Sequence, residues 1–281
     1  MKSPPLILGT AQLAGDYGVA RPREAGGAES RRVLLGVAQA VGISAIDTAP
    51  AYGPTEQVIG EAALALPIHT KVDRRLSVGA SLARSLIHLR RSEVEVLYLH
   101  DPSVLADQPQ TVRELRAVVG SGAQQAGVSV YELAEFDAAV HDGGLDVVQV
   151  PVNLLDRRFT GETLRVAAEK GVLVYARSVF LQGALTAPIE TVSRRAPKLV
   201  PAVRRFEALA LDMGKPREEL ALRWACSHPG IAGVLVGVDS TEQLRSLARM
   251  ASHGPLNEDD MQRLASLGVP PWPVTDPRTW T

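Results

Sequence analysis

Short, nearly continuous apolar runs alternate along the chain with longer segments whose apolar residues recur at helical spacing. The first kind predicts strands: LILGT (6–10), ISAIDT (43–48), PIHTK (67–71), VEVLYLH (94–100), AGVSV (126–130), DVVQVPV (146–152), GVLVYARS (171–178) and GVLVGV (233–238). The second kind predicts helices. In 30–41, Val33, Leu34, Val37, Ala38 and Val41 fall on one face, and 56–66, 77–89, 110–119, 131–140, 162–170, 218–227 and 241–250 read likewise. Gly42, Gly127, Gly171 and Gly233 precede strands, where a helix end calls for left-handed backbone.

Eight strand–helix alternations predict an α/β fold with a parallel sheet covered by helices. Strands as apolar as VEVLYLH and GVLVGV suit a sheet buried on both faces. Eight strands also close a barrel. The rival, a doubly wound sheet, calls for a glycine-rich phosphate loop after its first strand, but LGTAQLAGDYG is not GxGxxG. The expected fold is therefore a (β/α)8 TIM barrel, one domain over 1–281. Residues 11–29, rich in Gly and Ala with Asp16, Tyr17 and Arg21, form a long loop. The Pro-rich end 268–281 forms neither helix nor central strand.

Composition narrows the function classes. The length of 281 residues suits one barrel of about 250 residues. A net charge of −1 offers no general attraction to nucleic acid or anionic lipid. The single cysteine, Cys226, excludes an internal disulfide and fits a reducing cytoplasm; in LALRWACSH it reads as a buried, inert thiol. No apolar stretch is long enough to span a membrane, and the N-terminus lacks a signal-like apolar core. The expectation is a cytoplasmic protein, a monomer by default, without a membrane or nucleic-acid partner.

Catalysis in barrels gathers at the C-terminal ends of strands. Three titratable residues end apolar strands here: Asp47, Lys71 and His100, on the neighbouring second, third and fourth strands. Tyr52 follows in the loop TAPAYGPTE and can fold over the same spot. Each alone has an ordinary explanation: a helix cap, a solvated lysine, a turn histidine, a packed tyrosine. Together they make one kind of chemistry. Lys71 stabilises the Tyr52 phenolate, Asp47 holds Lys71 charged, and His100 orients a carbonyl, so that Tyr52 can protonate the oxygen as hydride reaches the carbon. One His and one Asp around a Lys are too few ligands for a metal.

DTAPAYGPTEQVIGEA, then Lys71, then LYLHDP resembles the aldo-keto reductase superfamily. GTAQLAGDYGVA, PVNLLDRR and RSVFLQGAL are similar to a bacterial branch of reductases and dehydrogenases linked to sugar metabolism. The resemblance covers residues 6 to about 250. It implies an oxidoreductase with Tyr52 as acid in reduction and base in oxidation, acting on a small carbonyl, alcohol or sugar. It implies NADP(H), with NAD(H) possible, bound without a Rossmann motif. Ser129 and Gln149 would hold the carboxamide, with Asn153 a weaker candidate, and Arg177 would stack on the nicotinamide. Ser178, Phe180, Gln182 and Gly183 would form the pyrophosphate loop. Gly237, Asp239, Ser240 and Gln243 would take the adenosine end at a helix N-terminus. The chain departs from the pattern at Val130, where relatives carry asparagine, and at the ribose end, where Asp239 opposes a 2′-phosphate and Arg245 stands as a compensating cation. Tyr17, Trp272 and Trp280 are expected as walls of the substrate pocket.

Two other functions fit parts of the sequence. The altered ribose end suits a non-catalytic cofactor-binding protein on the same scaffold. Lys71 at a strand end suits a Schiff-base enzyme, although Asp47 beside it would keep the amine protonated.

Overall fold

The parallel register runs unbroken from strand to strand and returns to its start. β1 (Leu6–Gly9), β2 (Ala45–Asp47), β3 (Ile68–Lys71), β4 (Val94–Leu99), β5 (Ala123–Ser129), β6 (Val147–Pro151), β7 (Leu173–Arg177) and β8 (Ile231–Gly237) form a closed barrel, with β8 pairing back onto β1. This is the computed structural model of the chain, and it describes residues 3–14, 18–19, 28–141 and 144–280.

Helices follow the strands on the outside: α1 (Ala28–Ala40), α2 (Thr55–Ala62), α3 (Val78–Leu89), α4 (Val104–Asp107), α5 (Pro109–Ala117), α6 (Leu133–His141), α7 (Glu162–Glu169), α8 (Ile189–Arg195), α9 (Val200–Asp212), α10 (Arg217–Cys226), α11 (Thr241–Ser252) and α12 (Glu258–Ala265). The expected (β/α)8 barrel is present. The periodicity anticipated neither α8 and α9, between β7 and α10, nor α12. Side-chain caps fix several starts: Ser77 Oγ accepts from the Ala80 amide at α3, Ser240 Oγ from Gln243 at α11, and Asn257 Oδ1 from Asp260 at α12. No described helix is long and apolar enough to cross a membrane.

Strand alternation sorts side chains into two cores. Leu8, Ile46, Leu97, Val148, Val174 and Val236 face the helices within the large outer cluster. Ile7, Ala45 and Leu235 pack with Tyr175 in a separate inner group, and Val96, Tyr98 and Val147 pack with the same tyrosine in another. The inner space holds rings because two strands give up a side chain. A Cβ on Gly127 would stand 2.6 Å from the Tyr98 ring, and one on Gly233 would stand 2.9 Å from Ile7 and 3.2 Å from the Tyr175 ring. This corrects the expectation of helix-end roles for these two glycines: both lie inside strands and serve by lacking a side chain. Gly42 and Gly171 do take left-handed backbone, with φ of 80° and 73°. Cys226 is buried and free, and burial pushes its thiol up to about 12, in keeping with an inert core residue.

Candidate active site

The upper ends of β2, β3 and β6 bring three polar side chains together inside the barrel. Lys71 Nζ donates to Asp47 Oδ1 at 2.6 Å and to the Thr48 carbonyl at 2.9 Å. Gln149 Nε2 donates to the other Asp47 oxygen, Oδ2, at 2.6 Å. Asp47 and Lys71 are each 3% exposed, so neither is stabilised by bulk water. A buried pair of this kind holds only with close geometry and with its remaining lone pairs engaged. Burial works against the Lys71 charge, but the adjacent Asp47 carboxylate and Tyr52 together outweigh it and hold the amine above its ordinary pKa.

Tyr52 reaches this pair from the loop after β2. Its ring centroid lies 5.4 Å from Lys71 Nζ and 6.3 Å from the His100 ring, edge to face. Burial raises the Tyr52 pKa, and Lys71 pulls against it without reversing the direction. The expectation that Lys71 sets this pKa is thus only half of the balance, and the resting phenol keeps its proton. His100 stands at the rim. Loss of hydration, and then the Lys71 charge, push its imidazole down to about 4, so near neutrality it is an uncharged hydrogen-bonding group.

All four residues line one cavity of about 340 Å³ that runs from β2–β4 across to β8. The same wall includes Ser129, Gln149, Arg177, Ser178, Phe180, Gln182, Gly183, Gly237 and Asp239. Ser240 and Gln243 are not in its lining. Ser240 Oγ caps α11, and Gln243 Oε1 accepts from the Asp239 amide at 2.7 Å, so both shape the far end through the backbone. Asn153 is fully buried, its Oδ1 accepting from the Leu155 amide at 3.0 Å, and it also falls outside the lining. Thr10, Gln12, Tyr131 and Thr186 line the cavity without having been singled out in sequence. The only available signal was proximity to a strand end, as Tyr131 stands two residues past Ser129.

The loop after β7 is bent sharply. Ser178, Leu181 and Gln182 hold left-handed backbone at φ of 58°, 49° and 51°, and Gly183 follows at 88°. Non-glycine residues keep that conformation only where their surroundings demand it, and such strain clusters at ligand-binding loops. The Val19 amide donates to the Gln182 carbonyl at 2.9 Å, so the segment after β1 meets this loop beside the cavity. Arg177, at the end of β7, donates from Nε to Ser129 Oγ at 3.1 Å, and from its terminal nitrogens to the Val130 carbonyl at 2.8 Å and to Ser178 Oγ at 3.3 Å. Its guanidinium lies 4.0 Å from the Tyr131 ring centroid.

These donors and acceptors fit a nicotinamide dinucleotide. Ser129 and Gln149 offer hydroxyl and amide groups suited to a carboxamide. The strained loop and the α11 N-terminus offer room and backbone amides for phosphates and a ribose. At Gly237 any Cβ would collide with the Gln12 side chain, so the wall is closely packed there.

A second, open recess of about 730 Å³ meets the first at His100 and Tyr131. Pro50, Ala51, Gly53, Val72, Asp73, Arg74, Arg75, Asp101, Pro102 and Arg278 complete it. The expected tryptophan walls are absent from both linings. Trp272 stacks under the Arg158 guanidinium at 3.4 Å, and Trp280 Nε1 donates to the Val274 carbonyl at 3.1 Å. Tail contacts hold the indoles away from both linings and leave Arg278 to face the recess. Asp16, Tyr17 and Arg21 lie outside the described residues.

The model of the aldo/keto reductase family matches residues 5–268. Aldo-keto reductase YhdN of Bacillus subtilis is 24% identical over 264 residues, covering 80% of each chain. The NADH-specific methylglyoxal reductase of Escherichia coli is 24% identical over 251 residues, covering 73% of this chain and 77% of its own. Among solved structures, aldo-keto reductase AKR11C1 from Bacillus halodurans in its holo form superposes with a TM-score of 0.79 at 20% identity, covering 96% of this chain and 95% of that one. Glycerol dehydrogenase AKR11B4 from Gluconobacter oxydans gives 0.73 at 22% identity, covering 93% and 90%.

Proposed function

The chain belongs to the aldo/keto reductase family of NAD(P)-dependent oxidoreductases, and from that premise we propose that Tyr52 is the proton donor in the reduction of a small, polar carbonyl compound. The observation that carries this reading is the buried file Gln149–Asp47–Lys71 beneath the Tyr52 ring. When bound, the nicotinamide supplies hydride to the carbonyl carbon. Tyr52 gives its proton to the oxygen. Lys71, kept charged by Asp47, stabilises the phenolate left behind, and neutral His100 donates to the same oxygen and orients it. In the oxidative direction Tyr52 takes the proton back.

The substrate enters by the second recess, whose wall is mostly charged or small. Such a wall suits compounds rich in oxygen better than lipophilic ones. The names of two similar proteins, a methylglyoxal reductase and a glycerol dehydrogenase, agree with a small oxygenated substrate. On the cofactor side, Asp239 lines the cavity, whereas Arg245 lines a separate surface depression with Val41 and Arg249. Asp239 disfavours a 2′-phosphate and can accept from a ribose hydroxyl, so NADH is the preferred form. An affinity for NADPH above that for NADH sinks this preference.

Tyr52→Phe tests the central claim. Turnover of small aldehydes should fall by about 10²- to 10⁴-fold while cofactor affinity stays within a few-fold. A variant that turns over normally removes Tyr52 from the role. A Schiff base at Lys71 is disfavoured, because the amine is held protonated against Asp47.

A further inference from the structure

Two cations line the cavity, and one of them has no ion-pair partner among the described residues. Lys71 is neutralised by Asp47, and Tyr52 and His100 are uncharged near neutrality. Arg177 remains. Its hydrogen bonds all go to neutral oxygens, those of Ser129, Val130 and Ser178, and it meets no carboxylate among the described residues. The neighbouring arginine makes the contrast. Arg278 stacks on the same Tyr131 ring at 4.1 Å, yet it is bound to Asp276 at 2.7 Å and Glu132 at 3.1 Å. The three hydrogen bonds and the ring leave the Arg177 guanidinium little freedom to swing away, so its charge is fixed at the end of β7.

That position matters for the cofactor. Resting on the function proposed above, the hydride-bearing ring must reach the carbonyl that Tyr52 protonates, so it occupies the part of the cavity lined by Tyr52, Lys71, Ser129, Gln149 and Arg177. The oxidised ring carries a positive charge and the reduced ring none. We infer that Arg177 makes this site discriminate between the redox states of its cofactor, binding the reduced form more tightly than the oxidised form, so that in a mixture of the two the enzyme is loaded mainly with the reduced one. Its charge also reaches the other groups of the site, where it favours the phenolate of Tyr52 and opposes protonation of His100.

The test is calorimetric titration of the full chain with NADH and with NAD⁺, without substrate. Wild type should bind NADH more tightly. In Arg177→Gln the ratio of the two dissociation constants should fall by about tenfold, the scale expected of one charge several ångström away in a partly hydrated site. Arg177→Lys, which keeps the charge, should restore most of the ratio. Arg177→Met repeats the neutral test should the glutamine variant fail to fold. Equal binding of both forms by wild type, or an unchanged ratio in a folded neutral variant, overturns the inference and leaves the reductase assignment intact. Failure of a folded wild type to bind either form, or their phosphorylated counterparts, overturns that assignment and the inference with it.

Discussion

The two sides of the barrel mouth handle charge differently. On the β2–β4 side both Asp47 oxygens are engaged, one by Lys71 and one by Gln149, and the pair lies out of water. On the β7 side Arg177 rests on neutral oxygens and lines the cavity with no ion-pair partner among the described residues. A compensated buried pair is part of the fold and of the proposed proton chemistry at once. An uncompensated cation at a cavity wall adds little to folding, and its field acts on what enters.

The difference makes removal of Asp47 the most damaging change. Asp47→Ala leaves the Lys71 ammonium buried without its counter-charge, and chemical denaturation should record a loss of about 3–5 kcal/mol together with collapse of turnover. Arg177→Gln should alter denaturation far less. Comparable losses at the two positions would erase the distinction. Deeper in the barrel, Gly127→Ala forces a methyl against the Tyr98 ring, 2.6 Å away, and against the Val147 carbonyl at 2.9 Å. Overpacking of this sort should cost about 1–3 kcal/mol. An unaffected melting temperature would mean that the inner core yields easily. Ser240→Ala removes the α11 cap and should cost about 1 kcal/mol, with a modest weakening of dinucleotide binding measured by titration.

The effect of pH sharpens the comparison further. The pKa of His100 is lowered to about 4 in the folded chain, and so is that of His228. Below the ordinary histidine range of about 6.5 the unfolded chain therefore binds more protons than the folded one. Stability should decline as pH falls from about 6.5 towards 4, and NMR titration should place the His100 transition near the lower end. A His100 midpoint near 6.5 would show that the rim is better hydrated than its neighbours suggest.

Much of this architecture is legible in the sequence, for reasons that belong to particular residues. Parallel strands are buried on both faces, so ISAI, PIHT and VEVLYL stand out as apolar runs, and a titratable residue soon after each one stands out too. That is why Asp47, Lys71 and His100 could be grouped before any coordinates, with Tyr52 close behind. Helices α8, α9 and α12 escaped, lying in the segments on either side of the β8–α11 unit, outside the simple strand–helix alternation.

The chain by itself determined the barrel and the membership of its candidate catalytic group, because hydrophobic period and strand-end chemistry are local properties. Only the tertiary structure decided what depends on which surface meets which. Gly127 and Gly233 became spaces for tyrosine rings because a closed barrel has an inside whose volume must be filled. Gln149 became a ligand of Asp47 across 102 positions of sequence. Trp272 turned to Arg158 and away from the cavity, Arg245 faced outward by helical phase, and Arg177 was left without an ion-pair partner among the described residues. Electrostatic compensation is a sum over spatial neighbours, and those neighbours are assigned only when the strands close.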